Sequence, residues 1–188
     1  MQFFTIVLMC ILAGAEVDLF IPSFPELQRV FGLSTFVVEL TLGANFCAYC
    51  IGSLIAGNLG DRYGRKPVIL GGCLIFILGS FLCAFAPNFC LLIMGRILQG
   101  LGISGPAVLA YVIIADTYPA DKQPKLLGIL NGIVTLAMAF APVLGSYVNL
   151  FFNWRGNFVV LLMLGVTACL MGTWHIRPSL PVSLSREN

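Results

Sequence analysis

The chain is dominated by successive apolar runs of about twenty residues, separated by short polar segments. A helix needs about 20 residues to cross a bilayer, because each residue adds about 1.5 Å across a hydrocarbon core of about 30 Å. With 59% hydrophobic and 10% charged residues, the chain has too little polar surface to cover a soluble globule. These features predict an all-α, polytopic membrane protein. The ten-residue alternating segments typical of a membrane β-barrel do not occur.

Six runs meet the length requirement for a membrane helix. We place these predicted spans at residues 3–21, 34–57, 67–86, 88–115, 126–151 and 156–175. They form a predicted transmembrane domain over residues 1–175, and the polar residues 176–188 are expected to form a cytoplasmic tail or the start of an interdomain linker. No Lys or Arg precedes the first run, so we interpret it as a membrane helix and not as a signal peptide.

The basic residues are distributed unevenly among the polar segments. Arg29 and Arg155 lie in one set of alternate connections, and Arg96 lies inside an apolar run. The other basic residues lie in the 2–3 connection, the 4–5 connection and the tail: Arg62, Arg65, Lys66, Lys122, Lys125, Arg177 and Arg186. The positive-inside rule therefore predicts a cell-membrane protein, in the inner membrane if bacterial, with both termini in the cytoplasm.

Residues that carry chemistry in enzymes do not form a catalytic pattern in this chain. The seven cysteines are scattered through the apolar runs, where small packed side chains are a more common role than disulfides or metal ligands. His175, the single histidine, adjoins Trp174 at the end of a run and is predicted to be an interfacial anchor. We find no phosphate-binding loop, nucleophile triad or metal-ligand spacing, so we predict no enzyme, no cofactor, no metal site and no nucleic-acid partner.

Ionisable residues inside the apolar runs are the best site candidates, because each costs several kcal/mol in a membrane unless it is paired or hydrated. Arg96 lies within the fourth span, Glu16 and Asp18 lie in the outer part of the first, and Glu39 lies near the outer end of the second. Glu16 and Asp18 are about 200° apart around a helix, so only one can face a given cavity. The spacing leaves open which of them couples protons, with Glu39 as a further alternative.

The stretch GNLGDRYGRK concentrates charges and glycines in the connection between the second and third spans. Its glycines allow a sharp reversal and close helix approach, and its charges can meet carboxylates, helix ends or lipid phosphates. On charge alone, a segment that only fixes topology is the better interpretation. The motif residues are Gly57, Gly60, Asp61, Arg62, Gly64, Arg65 and Lys66.

The order of these residues resembles the 2–3 loop signature G-x-L-x-D-R-x-G-R-K/R of the major facilitator superfamily. RILQGLG resembles that family's fourth-helix motif, APVLGS resembles the end of the fifth-helix signature of its antiporters, and NWR resembles the start of its sixth helix. The motif residues are Arg96, Gln99, Gly100 and Gly102 in the fourth span, and Pro142 and Gly145 in the fifth. Ala141 stands where a glycine often precedes the proline. With VDLFIPSFPEL in the first span, the chain is most similar to the bicyclomycin-resistance type of drug:proton antiporter.

The resemblance implies a transporter of twelve helices whose two halves rock about a central site, with this chain as the N-terminal six-helix half. It implies multidrug or small-molecule efflux by proton antiport. Tyr49, Tyr111 and Phe140 are aromatic candidates for lining an apolar pocket, although a lipid-facing or core role is more common for such residues. The partners implied are the lipid bilayer, protons, a small amphipathic or cationic substrate, and a second six-helix half in another chain or missing. An uptake or metabolite transporter of the same superfamily, and a fragment or remnant that does not transport, are the alternatives.

Overall fold

The computed structural model describes residues 1–176 and residue 178, so the predicted tail lies almost wholly outside the described residues. The helices are α1 (Gln2–Asp18), a 3-10 turn (Ile21–Ser23), α2 (Phe24–Phe31), α3 (Thr35–Tyr63), α4 (Arg65–Ala84), α5 (Phe89–Thr117) and α6 (Gln123–His175). Five helical stretches are long and apolar enough to cross a membrane. The described residues contain no strand, and the all-α prediction is confirmed.

The longest helix, α6, contains 53 residues and is divided at Asn153, whose backbone leaves the helical region (φ 54°, ψ −175°). The Asn153 side chain accepts a hydrogen bond from the backbone N–H of Arg155 at 3.1 Å. The Glu26 carboxylate of α2 accepts another from the backbone N–H of Trp154 at 2.9 Å. Both bonds satisfy donors at a helix start. The first arm of α6 (residues 123–152) and its second arm (residues 154–175) are each long enough to cross a bilayer, so α6 supplies two spans.

The helices do not stop where the apolar runs stop. We placed the end of the second span at residue 57, but α3 continues to Tyr63, and α4 begins at Arg65. The charged connection is thus reduced to Gly64, whose φ of 93° suits a residue without a side chain. At the opposite end, the segment after α1 forms the 3-10 turn and α2. An apolar run ends where charged residues begin, because charges are costly in the hydrocarbon core of the bilayer. A helix can continue past that point, because backbone hydrogen bonds also form among polar residues at the membrane surface.

The centre of the bundle is α5, which packs closely against α3 and α4. A Cβ added at Gly72 of α4 would lie 2.6 Å from the carbonyl oxygen of Gly102, and one added at Gly79 would lie 2.7 Å from the amide nitrogen of Gln99. Small residues allow the backbones of membrane helices to approach in this way. The first arm of α6 contacts α1, since a Cβ added at Gly14 would lie 2.9 Å from the side chain of Met138, and most of its residues are exposed or partly exposed.

Candidate functional site

Buried polar side chains from four helices form a connected group, which we call the buried network: Glu16, Asn45, Ser80, Arg96 and Gln99, each at most 2% exposed. Asn45 Nδ2 donates to Glu16 Oε1 at 2.8 Å and to the backbone carbonyl of Arg96 at 3.0 Å. Arg96 Nη1 donates to Gln99 Oε1 at 2.9 Å, and Gln99 Nε2 donates to Ser80 Oγ at 2.8 Å. The network therefore links α1, α3, α4 and α5 through side chains.

The two charged members of the network are Glu16 and Arg96, with 3.9 Å between Glu16 Oε1 and Arg96 Nη1. Burying such charges costs several kcal/mol each unless they are paired and hydrogen-bonded. The Arg96 guanidinium also lies 4.8 Å from the centre of the Phe20 ring, which adds a cation–π contact. Among the described residues, Glu16 Oε2 and Arg96 Nε and Nη2 have no hydrogen-bond partner. Glu16 Oε2 can therefore accept a proton or a hydrogen bond, and the Arg96 nitrogens can donate to a water molecule or a ligand group.

A cavity of about 240 Å³ adjoins the buried network between α1, α3, α5 and the first arm of α6. Glu16 and Asn45 form its polar wall. Tyr49 and Tyr111, two of the aromatic candidates, line it as well. The third candidate, Phe140, is 62% exposed on α6 and is not among the residues that line the cavity. The cavity thus combines an aromatic wall with a carboxylate, an arrangement suited to an amphipathic cation.

The candidate carboxylates occupy different environments. Glu16 is buried and lines the cavity beside Arg96. Asp18 is half-buried and is not among the lining residues, and Glu39 is exposed on α3. The geometry brings only Glu16 together with Arg96.

A second group of charges lies where α3, α4 and α5 end or begin, and we call it the end cluster: Asp61, Arg65 and Asp116. Arg65 Nη1 is paired with Asp61 Oδ1, and Arg65 Nε lies 3.3 Å from Asp116 Oδ2. The neighbouring Lys66 Nζ donates to the Thr173 carbonyl oxygen at 2.6 Å, near the end of α6. The GNLGDRYGRK motif therefore joins four helices at one face of the membrane.

The other motif residues of this stretch have distinct environments. A Cβ added at Gly60 would lie 2.7 Å from Leu109 Cδ2, so Gly60 allows α3 to approach α5. Gly64 allows the chain to reverse direction between α3 and α4. An added Cβ at Gly57 would meet nothing within 4 Å, and no contact explains that glycine. Arg62 is exposed, and its guanidinium lies 5.4 Å from the centre of the Tyr63 ring.

The glycines of RILQGLG allow the helix contacts that support the buried network. A Cβ at Gly100 would collide with the carbonyl oxygen of Asn45, and one at Gly102 would lie 2.7 Å from the carbonyl oxygen of Gly72. Glycine at position 100 therefore lets α3 bring Asn45 against Arg96. Glycine at position 102 lets α4 approach closely.

The residues of the antiporter-like motif lie in the first arm of α6, where it crosses α1. A Cβ at Gly145 would collide with the carbonyl oxygen of Leu19, just beyond the end of α1. Ala141 is buried one turn earlier on the same face. Pro142 lies inside the helix and cannot donate to the carbonyl one turn before it. The motif thus holds the first arm against the helix that carries Glu16.

Three residues of these groups were absent from the candidates found by sequence. Asn45 and Ser80 are uncharged, so a search for ionisable groups inside apolar runs does not find them. Uncharged polar residues in membrane helices form bonds between helices, and their isolation within apolar runs is the signal that would have indicated them. Asp116 lies in the last turn of α5, where the negative helix end disfavours a carboxylate unless a cation is near.

Comparisons with known proteins agree with this geometry. Residues 6–187 match the profile of the Major Facilitator Superfamily. The chain is 30% identical over 175 residues to "Multidrug resistance protein MdtL" of Citrobacter koseri, and 31% identical to the protein of that name from Salmonella typhimurium. Each alignment covers 93% of this chain but only 45% and 44% of those relatives. The chain therefore spans about half the length of the relatives it matches.

Solved structures show the same fold at low sequence identity. The xylose transporter XylE of E. coli, in a partially occluded inward-open conformation, superimposes with a TM-score of 0.85 at 16% identity, over 98% of this chain and 51% of that one. A D-xylose-proton symporter superimposes with a TM-score of 0.81 at 15% identity, over the same shares of the two chains. From its motifs, its fold and the family match, this chain of apolar helices belongs to the major facilitator superfamily.

Proposed function

We propose that the chain is the N-terminal half of a proton-coupled exporter of small amphipathic or cationic compounds. The observation that carries the proposal is the buried Glu16–Arg96 pair at the wall of a cavity inside the membrane. The similarity to multidrug resistance proteins supports the substrate class and the direction of transport. At about 240 Å³, the cavity is smaller than the roughly 300–1,000 Å³ of typical small-molecule sites. A second six-helix half would supply its remaining walls.

Glu16 is the proton-carrying group in this proposal. In its charged form it is stabilised by Arg96 and by the amide of Asn45. A cationic substrate that enters the cavity competes with Arg96 for the carboxylate. A proton that binds Glu16 removes the negative charge and with it the attraction for the cation. Proton and substrate therefore bind alternately, which is the requirement for exchange. Arg96 also donates to Gln99, a bond that does not involve Glu16, so we expect the positive charge to stay in place when Glu16 is protonated.

The end cluster serves the conformational step. Arg65 holds the ends of α3, α4 and α5 together through Asp61 and Asp116. In the assembled transporter we assign to this cluster the closure of the cytoplasmic side, because charge pairs at helix ends can be exchanged when two domains rock. Asp61→Asn is then expected to reduce transport while membrane insertion stays intact. Full transport by that variant would reduce the motif to a topology signal.

The proton assignment is tested in proteoliposomes that contain the chain together with a second six-helix half. Glu16→Gln should abolish substrate-driven proton movement, because an amide cannot exchange a proton. Asp18→Asn, a matched change two residues away in the same helix, should leave that movement intact. The reverse result would assign coupling to Asp18, and coupling in both variants would direct the search to Glu39 or to the second half.

The half-transporter assignment is tested by the chain alone. Without a second half, proteoliposomes should show no substrate-dependent pH change. A change of full size would mean that the chain assembles with itself. A complete assembly that imports its substrate, or that moves none, would favour the uptake transporter or the remnant.

Orientation is tested by cysteine accessibility. After replacement of all seven native cysteines, single cysteines at Asn58 and Asp121 should be labelled from the cytoplasm only. A cysteine at Val30 of α2 should be labelled only from the opposite side. The reverse pattern would contradict the proposed orientation.

A further inference from the structure

A lateral groove, separate from the cavity beside Glu16, lies between α3 and α4. Its walls are residues 52–63 of α3 and 67–75 of α4, and its floor is residues 101–105 of α5. Its volume is about 540 Å³. Gly52 and Gly72 each approach the α5 backbone closely, so α5 forms a floor to which both walls are packed. The walls leave open space between them, since a Cβ added at Gly71 would meet no atom within 4 Å.

The groove is suited to an apolar occupant. Exposed apolar side chains, among them Ile55, Leu59 and Ile75, line it. The hydroxyl of Ser104, on the floor, donates to the backbone carbonyl of Leu101 at 2.7 Å and so has its hydrogen bond already. A ligand in the groove therefore gains nothing from polar groups at this depth, and it gains dispersion contacts from apolar ones.

The length of the groove matches one leaflet of the bilayer. From residue 52 to residue 63 a helix rises about 16 Å. This is half of a hydrocarbon core of about 30 Å, which is the depth that one acyl chain occupies. The groove ends at Tyr63 and Pro67, beside the helix ends that carry the charges. An aromatic ring at this level is typical of the membrane interface.

The charges at this end of the groove favour a negatively charged headgroup. Arg65 is engaged by Asp61 and Asp116. Arg62 is exposed, and Lys66 directs one of its three donors to the carbonyl of Thr173. Basic residues at a membrane surface attract anionic lipids. Lys66 is thus directed toward α6, whereas the Arg62 guanidinium lies 5.4 Å from the ring of Tyr63, which lines the groove. Arg62 is therefore the cationic donor beside the mouth of the groove.

We propose that this groove is a binding site for an anionic phospholipid, with one acyl chain between α3 and α4 and the headgroup phosphate bound by Arg62. The groove shares no lining residue with the cavity beside Glu16. The bilayer is the solvent of these helices, so an apolar groove open to the side is filled by lipid unless protein covers it. Arg62 then selects among the lipids available.

The test uses the chain in nanodiscs of phosphatidylcholine that contain a trace of a lipid with a photoreactive acyl chain. The probe is either phosphatidylglycerol or phosphatidylcholine with the same acyl chain. We expect the phosphatidylglycerol probe to label residues 52–63 and 67–75 at least about fivefold more than the phosphatidylcholine probe, since each basic residue at the surface contributes roughly that factor. Arg62→Gln should remove this preference and leave labelling by phosphatidylcholine unchanged.

Filling the groove separates the acyl-chain site from the headgroup site. Gly71→Leu places a side chain in the open space and should reduce labelling by both probes. Gly43→Leu is the matched control, because Gly43 also faces open space but lies on α3 outside the groove. It should leave labelling unchanged. Equal labelling by the two probes, or labelling that Gly71→Leu does not reduce, would overturn the proposal. Cross-links between chains at these residues, in place of lipid adducts, would show a second copy in the groove and would also overturn it.

Discussion

The buried network and the end cluster use the same chemistry in two environments. In each, one arginine lies between helices and meets a carboxylate. Arg96 and Glu16 are almost wholly buried and 3.9 Å apart. In the end cluster, Asp61 and Asp116 have side chains that are 60% and 51% exposed, and both carboxylates contact Arg65 directly. The closer contacts are therefore found where water is available, and the looser contact is found where it is not.

This difference changes what each ion pair contributes to stability. Exposed ion pairs contribute about 0–1 kcal/mol, because water competes with the partner. A buried pair is costly to maintain, and a hydrophobic replacement of similar volume is often as stable. The buried pair here also leaves Glu16 Oε2 and two guanidinium nitrogens without partners among the described residues. A fold under selection for stability alone would not need such a pair, which supports its assignment to proton coupling.

The largest expected effect comes from breaking the buried pair. Arg96→Met leaves the Glu16 carboxylate buried without a counter-charge and should destabilise the helix bundle by about 3–5 kcal/mol. Arg96→Met with Glu16→Gln should recover a large part of that loss, because no unpaired charge remains. Unfolding in a denaturing detergent measures both, and the two single variants complete a double-mutant cycle. Equal stability of the single and double variants would contradict charge pairing at this site.

The next effect concerns the uncharged part of the buried network. Gln99→Leu removes the acceptor of Arg96 Nη1 and the donor to Ser80, and it should cost about 1.5–3 kcal/mol. Gln99→Glu keeps the acceptor oxygen and is expected to retain more stability if the bond to Arg96 dominates. The same unfolding assay compares the two variants. No loss of stability in Gln99→Leu would show that the network does not stabilise the bundle.

Close helix approach should matter where α5 meets the buried network and not at an open position of α3. Gly100→Ala places a Cβ against the Asn45 carbonyl and should cost about 1–3 kcal/mol through overpacking. Gly43→Ala faces open space and should change stability by less than about 1 kcal/mol. Thermal unfolding of the two variants side by side tests this contrast. Similar losses at both positions would point to helix flexibility instead of contact.

The smallest effect is expected in the end cluster. Asp116→Asn removes one exposed partner of Arg65 and should cost less than about 1 kcal/mol. The loss should shrink further in 1 M salt, where the screening length falls to about 3 Å. The loss in Arg96→Met should be unaffected by salt, because that pair is buried. A salt-independent loss of several kcal/mol in Asp116→Asn would erase the distinction between the two groups.

The sequence alone determined the properties that depend on one segment at a time. The length of an apolar run is set by the thickness of the bilayer, so the all-α class and its series of membrane helices followed without knowledge of any contact. The GNLGDRYGRK and RILQGLG motifs indicated the family. Arg96 could be recognised from the sequence because it is a charged residue inside an apolar run. The cost of an ionisable group in lipid is likewise local, which is why Glu16, Asp18 and Arg96 could be selected as candidates.

Only the tertiary structure decided which of these residues meet. Glu16 and Asp18 are equivalent in sequence, and the rotation of α1 against α3 and α5 places Glu16 beside Arg96. Asp116 joins Arg65 across 51 positions of sequence, and Asn45 reaches Arg96 across the same interval. These contacts depend on how each helix is rotated and on the glycines that set helix separation, such as Gly100 against Asn45. Rotation and separation arise from packing between segments, and a pattern within one segment does not specify them.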